Sequence, residues 1–248
     1  MTLKTTTWTP RSAMILGAGL GTRMRPYTDT LPKPLVPLKG RALIDHVITR
    51  VAAEGIGHVV VNVHHHADRM ESHLRHRANP VVDISDERAQ LLDTGGGIKN
   101  ALPKLGSEPF LVHNSDSVWL EGIGSNLRRL FDTWDESRMD FLLMLALGSA
   151  SIGYTGRGDF SCDPEGRIRP RREHEVVPFV YTGVAIVHPR VFAEAPDGTF
   201  SVIPLWNRAI LAGRAFGVRM EGLWMHVGTP DALIEAERAI DGHHASTR

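Results

Sequence analysis

Short apolar runs alternate with amphipathic stretches along the first half of the chain. Residues 13–17 open the pattern as a buried strand. Residues 41–55 carry Leu43, Ile44, Val47, Ile48, Val51 and Ala52 on one broad face, the signature of a helix, and Gly55 and Gly57 end it. His58 to Val63 is nearly continuous in β-branched residues, as expected of a parallel strand covered on both faces. A polar helix over 67–76, a strand at Val81–Ile84, a helix beginning at Gly96 and a strand at Pro109–His113 follow. Ser125 can cap a helix whose inner face is Leu127, Leu130, Phe131 and Trp134, and Phe141–Leu147 is again strand-like. Such alternation implies right-handed crossovers, so the expected fold is α/β, with a doubly wound, mostly parallel mixed sheet.

The pattern changes after residue 150. Asp159–Cys162, Ile168–Pro170 and Phe179–Val187 read as a small antiparallel insertion around the substrate face. Ser201 then caps a helix bearing Val202, Trp206, Ala209 and Ile210, and a strand at 215–219 precedes a last helix. There Thr229 is the cap, Pro230 the first residue, and Leu233, Ala236 and Ile240 face inward. Without internal repeats or linkers, the expected organisation is a disordered tail over 1–12, a single domain over 13–240, and a second tail over 241–248.

Composition narrows the class. The 248 residues suffice for one large α/β core. Lys plus Arg equals Asp plus Glu at 28 each, so no net field argues for nucleic acid. No apolar stretch approaches a membrane span, and Met1 to Ser12 lacks the apolar core of a signal peptide. Cys162 is the only cysteine, which excludes an intrachain disulfide and fits a cytoplasmic location. Expected partners are therefore small molecules, with the protein a monomer or small homo-oligomer.

The strongest chemical signal is Gly17-Ala18-Gly19-Leu20-Gly21-Thr22-Arg23-Met24-Arg25, followed by Pro32-Lys33-Pro34. Glycines let backbone N–H groups approach an anion closely. Arg23 and Arg25 offer planar donor forks, Lys33 a compact charge held between two prolines. The stretch is neither the dinucleotide fingerprint, whose third glycine position is Thr22, nor a P-loop, since no lysine follows at the required spacing. It reads as a cradle for a phosphate chain.

Leu16-Gly-Ala-Gly-Leu-Gly-Thr-Arg23 with Pro32-Lys-Pro-Leu-Val-Pro37 resembles the signature of the sugar-1-phosphate nucleotidyltransferases. Gly17 stands where that family usually has alanine. The resemblance spans roughly residues 13–240. It implies a Rossmann-like nucleotidyltransferase fold that joins an NTP to a sugar 1-phosphate and releases pyrophosphate. By this resemblance Arg23 and Lys33 are the catalytic cations, and Gly17, Ala18, Gly19, Gly21 and Thr22 hold the nucleotide.

The same resemblance assigns roles further along. Leu91-Leu92-Asp93-Thr94-Gly95-Gly96-Gly97 would contact the nucleobase through Asp93, Thr94 and Gly95, and this form is similar to bacterial uridylyltransferases acting on N-acetylmuramic acid 1-phosphate. Asn114-Ser115-Asp116 matches the family's Asn-x-Asp segment, with Asp116 a hard oxygen ligand suited to Mg²⁺. The closing motif Trp-x-Asp-x-Gly-Thr becomes Trp224-Met-His226-Val-Gly-Thr229, so a histidine replaces the second metal carboxylate. Imidazole suits Mn²⁺, Co²⁺ or Zn²⁺ better than Mg²⁺. His226 either ligates the metal, contacts it through water, or leaves Asp116 to hold it with the phosphates.

Asn114, Gly158, Asp159 and Thr182 would flank the sugar. Arg-Gly-Asp at 157–159 belongs to that run rather than to cell adhesion. Arg171-Arg-Glu-His-Glu-Val-Val-Pro178 replaces the Val-Glu-Lys-Pro segment of hexose-specific relatives. The arginines at 167, 169, 171 and 172 read as a solvated hairpin; the alternative is that one of them pairs with a lactyl carboxylate. His64-His65-His66 cannot converge on a metal from an extended chain and reads as structural or exposed.

The expected reaction is uridylyl transfer from UTP to N-acetylmuramic acid α-1-phosphate, in cell-wall (peptidoglycan) sugar recycling. The alternatives are mannose- or glucose-1-phosphate guanylyl- or thymidylyltransferase, a phosphocholine-type acceptor, and a non-catalytic nucleotide-sugar sensor that lost its metal carboxylate at His226.

Overall fold

The computed structural model describes residues 8–246. In chain order the strands and helices are β1 (Ser12–Leu16), β2 (Pro37–Leu38), β3 (Arg41–Ala42), α1 (Leu43–Ala53), β4 (His58–Val63), α2 (Ala67–Leu74), β5 (Val81–Asp86) and α3 (Asp93–Leu105). They continue as β6 (Phe110–Asn114), β7 (Ser117–Glu121), α4 (Asn126–Thr133), β8 (Phe141–Leu147), β9 (Phe160–Cys162), β10 (Ile168–Pro170) and β11 (Phe179–Val187). The last four are α5 (Ile203–Leu211), β12 (Ala215–Arg219), β13 (Gly222–His226) and α6 (Pro230–Ser246).

The main sheet runs β5-β4-β1-β6-β11-β8-β12, with β9 and β10 added as a hairpin where Phe160 pairs with Phe179. β1 is parallel to β4 and β6, β4 to β5, and β8 to β12; only β11 runs against its neighbours β6 and β8. This is the doubly wound, mostly parallel mixed sheet the alternation called for. Its apolar runs are continuous because both faces are covered. Ala13, Ile15, Val59 and Val61 pack beneath Ile44, Val47, Met70, Leu127 and Phe131 of α1, α2 and α4. Met14, Val60 and Val112, one residue out of phase, pack beneath Ile98, Ala101, Leu205 and Ala209 of α3 and α5. A third cluster joins Met24, Val36, Val118, Met225 and Leu233 under α6.

The structure departs from the pattern reading at several points. Phe179–Val187 is a central strand between β6 and β8 rather than part of an insertion. β7 and β13, not anticipated as strands, pair antiparallel from Gly222 opposite Glu121 to His226 opposite Ser117. Asp93 already begins α3, so Gly95, Gly96 and Gly97 form its first turn instead of the loop before it. They are small because of what lies against them. A Cβ on Gly96 would overlap the Gly198 carbonyl, one on Gly95 the Phe200 ring, and one on Gly97 would lie 2.7 Å from Glu87 Oε1.

Both expected tails shorten. Trp8 stacks on Trp134 at 6.0 Å and meets Phe131 edge-on, and Arg128 donates to Thr9 Oγ1 at 3.1 Å. Residues 8–12 thus close the outer face of the core above α4. At the other end the last helix continues through Asp241 to Ser246. The remainders of the expected tails, 1–7 and 247–248, lie outside the described residues.

Candidate active site

The carboxyl ends of β1, β4 and β6 open into a cleft of about 630 Å³. Ligands of open α/β sheets sit at this edge. The glycine stretch leaves β1 at Gly17, whose N–H donates to Asn62 Oδ1 at 2.7 Å. Gly21 adopts φ 64°, a left-handed turn into the 3-10 segment Thr22–Met24, and a Cβ there would press on Thr28. Thr28 closes the turn from outside, its hydroxyl donating to the Gly21 carbonyl at 2.8 Å. Met24 is fully buried and pins the segment, while Arg23 on the same turn stays exposed and lines the cleft. Arg25 is drawn away by Asp29, 3.3 Å distant. Of the two loop arginines, Arg23 is therefore the one offered to an anion.

Lys33 enters on a second 3-10 turn, Lys33–Leu35, whose start is set by Pro32 and Pro34. Its ammonium makes a close ion pair with Asp116 Oδ2, and both side chains are largely buried. Asp116 sits in the turn between β6 and β7. The β7–β13 pairing carries His226 to the same place: the Val227 N–H donates to the Asp116 carbonyl at 2.9 Å, and His226 Nδ1 lies 3.6 Å from Asp116 Oδ2. A Cβ on Gly228 would strike the imidazole at 2.6 Å, so glycine there is needed to seat the ring. Burial opposes ionisation of Asp116, but Lys33 and then His226 outweigh it and hold the carboxyl below its ordinary value. Burial, with Lys33 and Arg23 nearby, lowers the His226 imidazole against the opposing pull of Asp116. These surroundings favour the neutral imidazole, the form that binds a metal.

Asp116 and His226 are the two protein donors that could hold a cation, and among the described residues no three His, Cys, Asp or Glu side chains gather to hold one alone. One carboxylate and one imidazole beside a glycine turn with an exposed arginine fit a divalent ion that completes its shell with ligand oxygens and water. They do not fit a closed structural site.

Asp93 and Thr94 line the far end of the same cleft, with Leu91, Glu87 and Thr199. Gly95 is not part of its lining and packs under Phe200 instead. A strap over residues 197–202 holds this end. Phe200 N–H donates to the Leu92 carbonyl at 3.2 Å, Gly96 N–H to the Phe200 carbonyl at 3.0 Å and Val202 N–H to Thr94 Oγ1 at 3.0 Å.

Of the residues expected at the sugar, Asn114 lines the main cleft. Gly158 and Asp159 line a neighbouring depression of about 340 Å³ with Arg171, Tyr181, Ile203, Trp206 and Asn207. A small, mostly apolar cavity of about 70 Å³ shares Asn114 and Thr94 with the cleft and Tyr181 and Trp206 with the depression. Asp159 also accepts from the Tyr181 N–H at 2.9 Å. Thr182 is elsewhere: it is buried in the bulge of β11, its hydroxyl donating to the Met144 carbonyl at 2.9 Å. Its place is to shape the strand beside Asn114, because the next residue, Gly183, has φ 82° and a Cβ there would meet the Asn114 side chain at 2.7 Å.

Asn62, Glu87, Ser115 and Thr199 also line the main cleft, although the motifs do not single them out, as does Gly228, the glycine of the closing motif. For Asn62 a signal exists: it is the one polar residue inside Val59-Val60-Val61-Asn62-Val63. The histidine run is structural. His64 Nδ1 lies 2.8 Å from the Glu87 carbonyl and His65 Nε2 3.2 Å from that of Thr28, behind the glycine turn.

Residues 12–148 match the family model described as Nucleotidyl transferase. N-acetylmuramate alpha-1-phosphate uridylyltransferase of Caulobacter vibrioides is 49% identical over 235 residues, 93% of this chain and 97% of that protein. The protein of the same name from Neisseria meningitidis is 34% identical, over 91% of this chain and 96% of its own. Among solved structures, UDP-glucose pyrophosphorylase complexed with UDP-glucose superposes with a TM-score of 0.77 over 95% of this chain and 100% of its own, at 18% identity. That last likeness is one of fold.

Proposed function

Since this chain belongs to the nucleotidyl transferase family, and within it to the sugar-1-phosphate nucleotidyltransferases, we propose that it joins UTP to N-acetylmuramic acid α-1-phosphate and releases pyrophosphate. The observation that carries the choice of substrates is the 49% identity to the Caulobacter enzyme over 97% of that enzyme's length. Such a reaction belongs to cell-wall sugar recycling in the cytoplasm, where UTP is made. No described helix is long and apolar enough to cross a membrane.

In this reading the sugar phosphate oxygen attacks the α-phosphorus in line, and the bond to the β-phosphate breaks. The protein forms no covalent bond; it orients and neutralises. The N–H groups of residues 18–22 and the Arg23 guanidinium hold the β- and γ-phosphates that leave. Lys33, at the base of the cleft, faces the phosphates on either side of the bond being made. Asp93, Thr94 and the strap seat the base. Asp116 and His226 would hold a divalent cation, Mg²⁺ or Mn²⁺, which when bound supplies further neutralisation of phosphate charge. Lys33, paired with Asp116 at the base of the cleft, would be free to turn its ammonium to phosphate were that carboxylate to hold a cation.

The neighbouring depression supports an acceptor that carries a carboxylate. Arg167 is paired with Asp163 and Arg169 with Glu175 at 2.6 Å. Arg171 instead donates, among the described residues, to main-chain carbonyls, those of Gly158 at 3.1 Å and Arg172 at 3.3 Å, and lines the depression beside Trp206 and Ile203. A cation on an apolar wall suits a lactyl group. A matrix of NTPs and sugar 1-phosphates, scored by pyrophosphate release, tests the whole reading. UTP with N-acetylmuramic acid 1-phosphate should be the best pair, and Arg171→Ala should raise KM for that sugar about tenfold while leaving KM for UTP unchanged. Preference for a neutral hexose 1-phosphate would overturn it.

A further inference from the structure

The two glycine segments of the cleft are joined beneath it by a buried side-chain relay. Gly17 N–H donates to Asn62 Oδ1 at 2.7 Å, and Asn62 Nδ2 donates to Glu87 Oε1 at 2.7 Å. Glu87 Oε2 accepts from the Leu92 N–H at 3.1 Å, one residue before α3 begins. Asn62 is 3% exposed and Glu87 2%. From these contacts we propose that Asn62 and Glu87 are positioning residues, a brace that fixes the distance between the phosphate cradle at Gly17 and the base-seating turn at Leu92. The inference rests on the nucleotidyltransferase reading of the cleft for what the distance serves.

Several observations separate this pair from an ordinary satisfied polar core. Glu87 has no Lys or Arg partner among the described residues, and burial pushes its carboxyl above the ordinary value against the hydrogen bonds from Asn62 and Leu92. A buried carboxyl that destabilises its own charge needs a reason to be kept. An apolar pair would fill the space at less cost, but could not bind two backbone N–H groups on separate loops. Gly97 records the same constraint from the other side: a Cβ there would meet Glu87 Oε1 at 2.7 Å and Asn62 Nδ2 at 2.9 Å. The glycine is what lets α3 settle onto the brace. The nucleotide spans the two anchored loops, its phosphates at one and its base at the other, so an error in their separation falls on nucleotide binding first. The acceptor depression touches neither residue.

The donor and acceptor order along the relay gives a test that distinguishes a brace from general damage. In Glu87→Gln the amide can accept from Asn62 or from Leu92, not from both, and turns an N–H against another N–H. In Asn62→Asp two carboxyls face each other. In the double variant Asn62→Asp/Glu87→Gln every bond returns. The Gly17 N–H donates to one oxygen of the new carboxylate on β4. The new amide beyond β5 donates through its nitrogen to the other carboxylate oxygen, and its own oxygen accepts from the Leu92 N–H. All four proteins keep nearly the same volume.

Two measurements are made on them. Backbone hydrogen exchange of the unliganded proteins should show both loops, 17–24 and 90–96, exchanging faster in each single variant and returning to wild-type rates in the double. Steady-state kinetics should show KM for UTP raised about tenfold in each single variant, KM for the sugar phosphate within about twofold of wild type, and both restored in the double. Exchange that loosens one loop without the other, or single variants with wild-type rates, overturns the brace. So does a double variant no better than the singles. The exchange arm needs no substrate, so its failure is distinguishable from a failure of the assigned reaction.

Discussion

His226 Nδ1 stands 3.6 Å from Asp116 Oδ2 because Ser117 and His226 are partners across the β7–β13 ribbon. Pairing those two residues fixes the distance between the side chain before Ser117 and the one opposite it. The site therefore pairs an imidazole with a carboxylate. Imidazole raises affinity for Mn²⁺ and Co²⁺ relative to Mg²⁺. His226→Asp should shift that balance: the ratio of Mn²⁺-supported to Mg²⁺-supported kcat falls about tenfold relative to wild type. A variant with an unchanged ratio would show that His226 does not reach the metal. His226→Ala should lose activity with both ions.

Lys33 and Asp116 form a largely buried pair, 14% and 12% exposed at the side chains. Breaking such a pair leaves a charge uncompensated, at a cost of about 3 kcal/mol or more. The two ends are not equivalent. Asp116 is short and fixed between two strands, whereas Lys33 has a flexible stem and can turn to the open cleft. Urea unfolding should therefore show Lys33→Met destabilised by about 3 kcal/mol and Asp116→Asn by about half of that. The double variant should fall short of the sum by about 1 kcal/mol or more. Additive losses would mean that the two charges do not interact.

The glycine turn proposed as the phosphate cradle is legible in the sequence because its residues are neighbours in the chain. Gly17 to Arg23 turn against one another, and Pro32 and Pro34 constrain Lys33 locally, so spacing alone carries the chemistry. The doubly wound sheet is legible for a related reason: strands covered on both faces read as unbroken apolar runs. Contacts made by partners far apart are not legible. Ser117–Glu121 and Gly222–His226 become strands by pairing with each other, and the latter also with Ile152, so nothing local marks them. Thr182 is expected beside the sugar, yet the bulge of β11 turns its hydroxyl into the sheet toward Met144. Glycines 95–97 look like a loop in composition, but pack as a helical turn because Phe200, Gly198 and Glu87 lie where side chains would be. Trp8 lies in a polar stretch that reads as a tail, and its anchor, Trp134, is on another element.

His113 gives a pH prediction that does not depend on substrate. It is fully buried on β6, stacked 5.5 Å from Trp119, with Nδ1 2.8 Å from the Asn114 carbonyl. Desolvation lowers its pKa to about 4. The folded protein therefore binds this proton less readily than the unfolded chain, whose imidazole titrates near 6.5. Below that value the unfolded state takes up the proton first, and stability falls as pH drops from 6.5 towards 4. At pH 4.5 the contribution amounts to about 2–3 kcal/mol, by about 1.4 kcal/mol for each unit. His113→Leu removes the titration while leaving the other groups in place. The difference in unfolding free energy between pH 7 and pH 4.5 should be smaller in the variant by that amount. Parallel stability curves for the two proteins would place the acid sensitivity elsewhere.

Gly96→Ala sets two effects of opposite sign against each other. Alanine is the better helix former by about 1 kcal/mol, and Gly96 lies inside α3. Yet its Cβ would overlap the Gly198 carbonyl and lie 3.1 Å from the Leu92 side chain, while the Gly96 N–H donates to the Phe200 carbonyl at 3.0 Å. The obstruction is backbone on the strap, not the end of a flexible side chain. The strap cannot yield without losing that bond, and Lys99 tethers it further through Asp197 at 2.6 Å. Overpacking of this kind costs about 1–3 kcal/mol, so the steric effect wins. The variant should unfold at lower urea concentration than wild type. Its KM for UTP should rise more than its KM for the sugar phosphate, because the displaced segment carries Thr199, which lines the end of the cleft proposed to seat the base. A stabilised Gly96→Ala protein would show that the strap moves freely, and that the glycine is not there to let it close on α3.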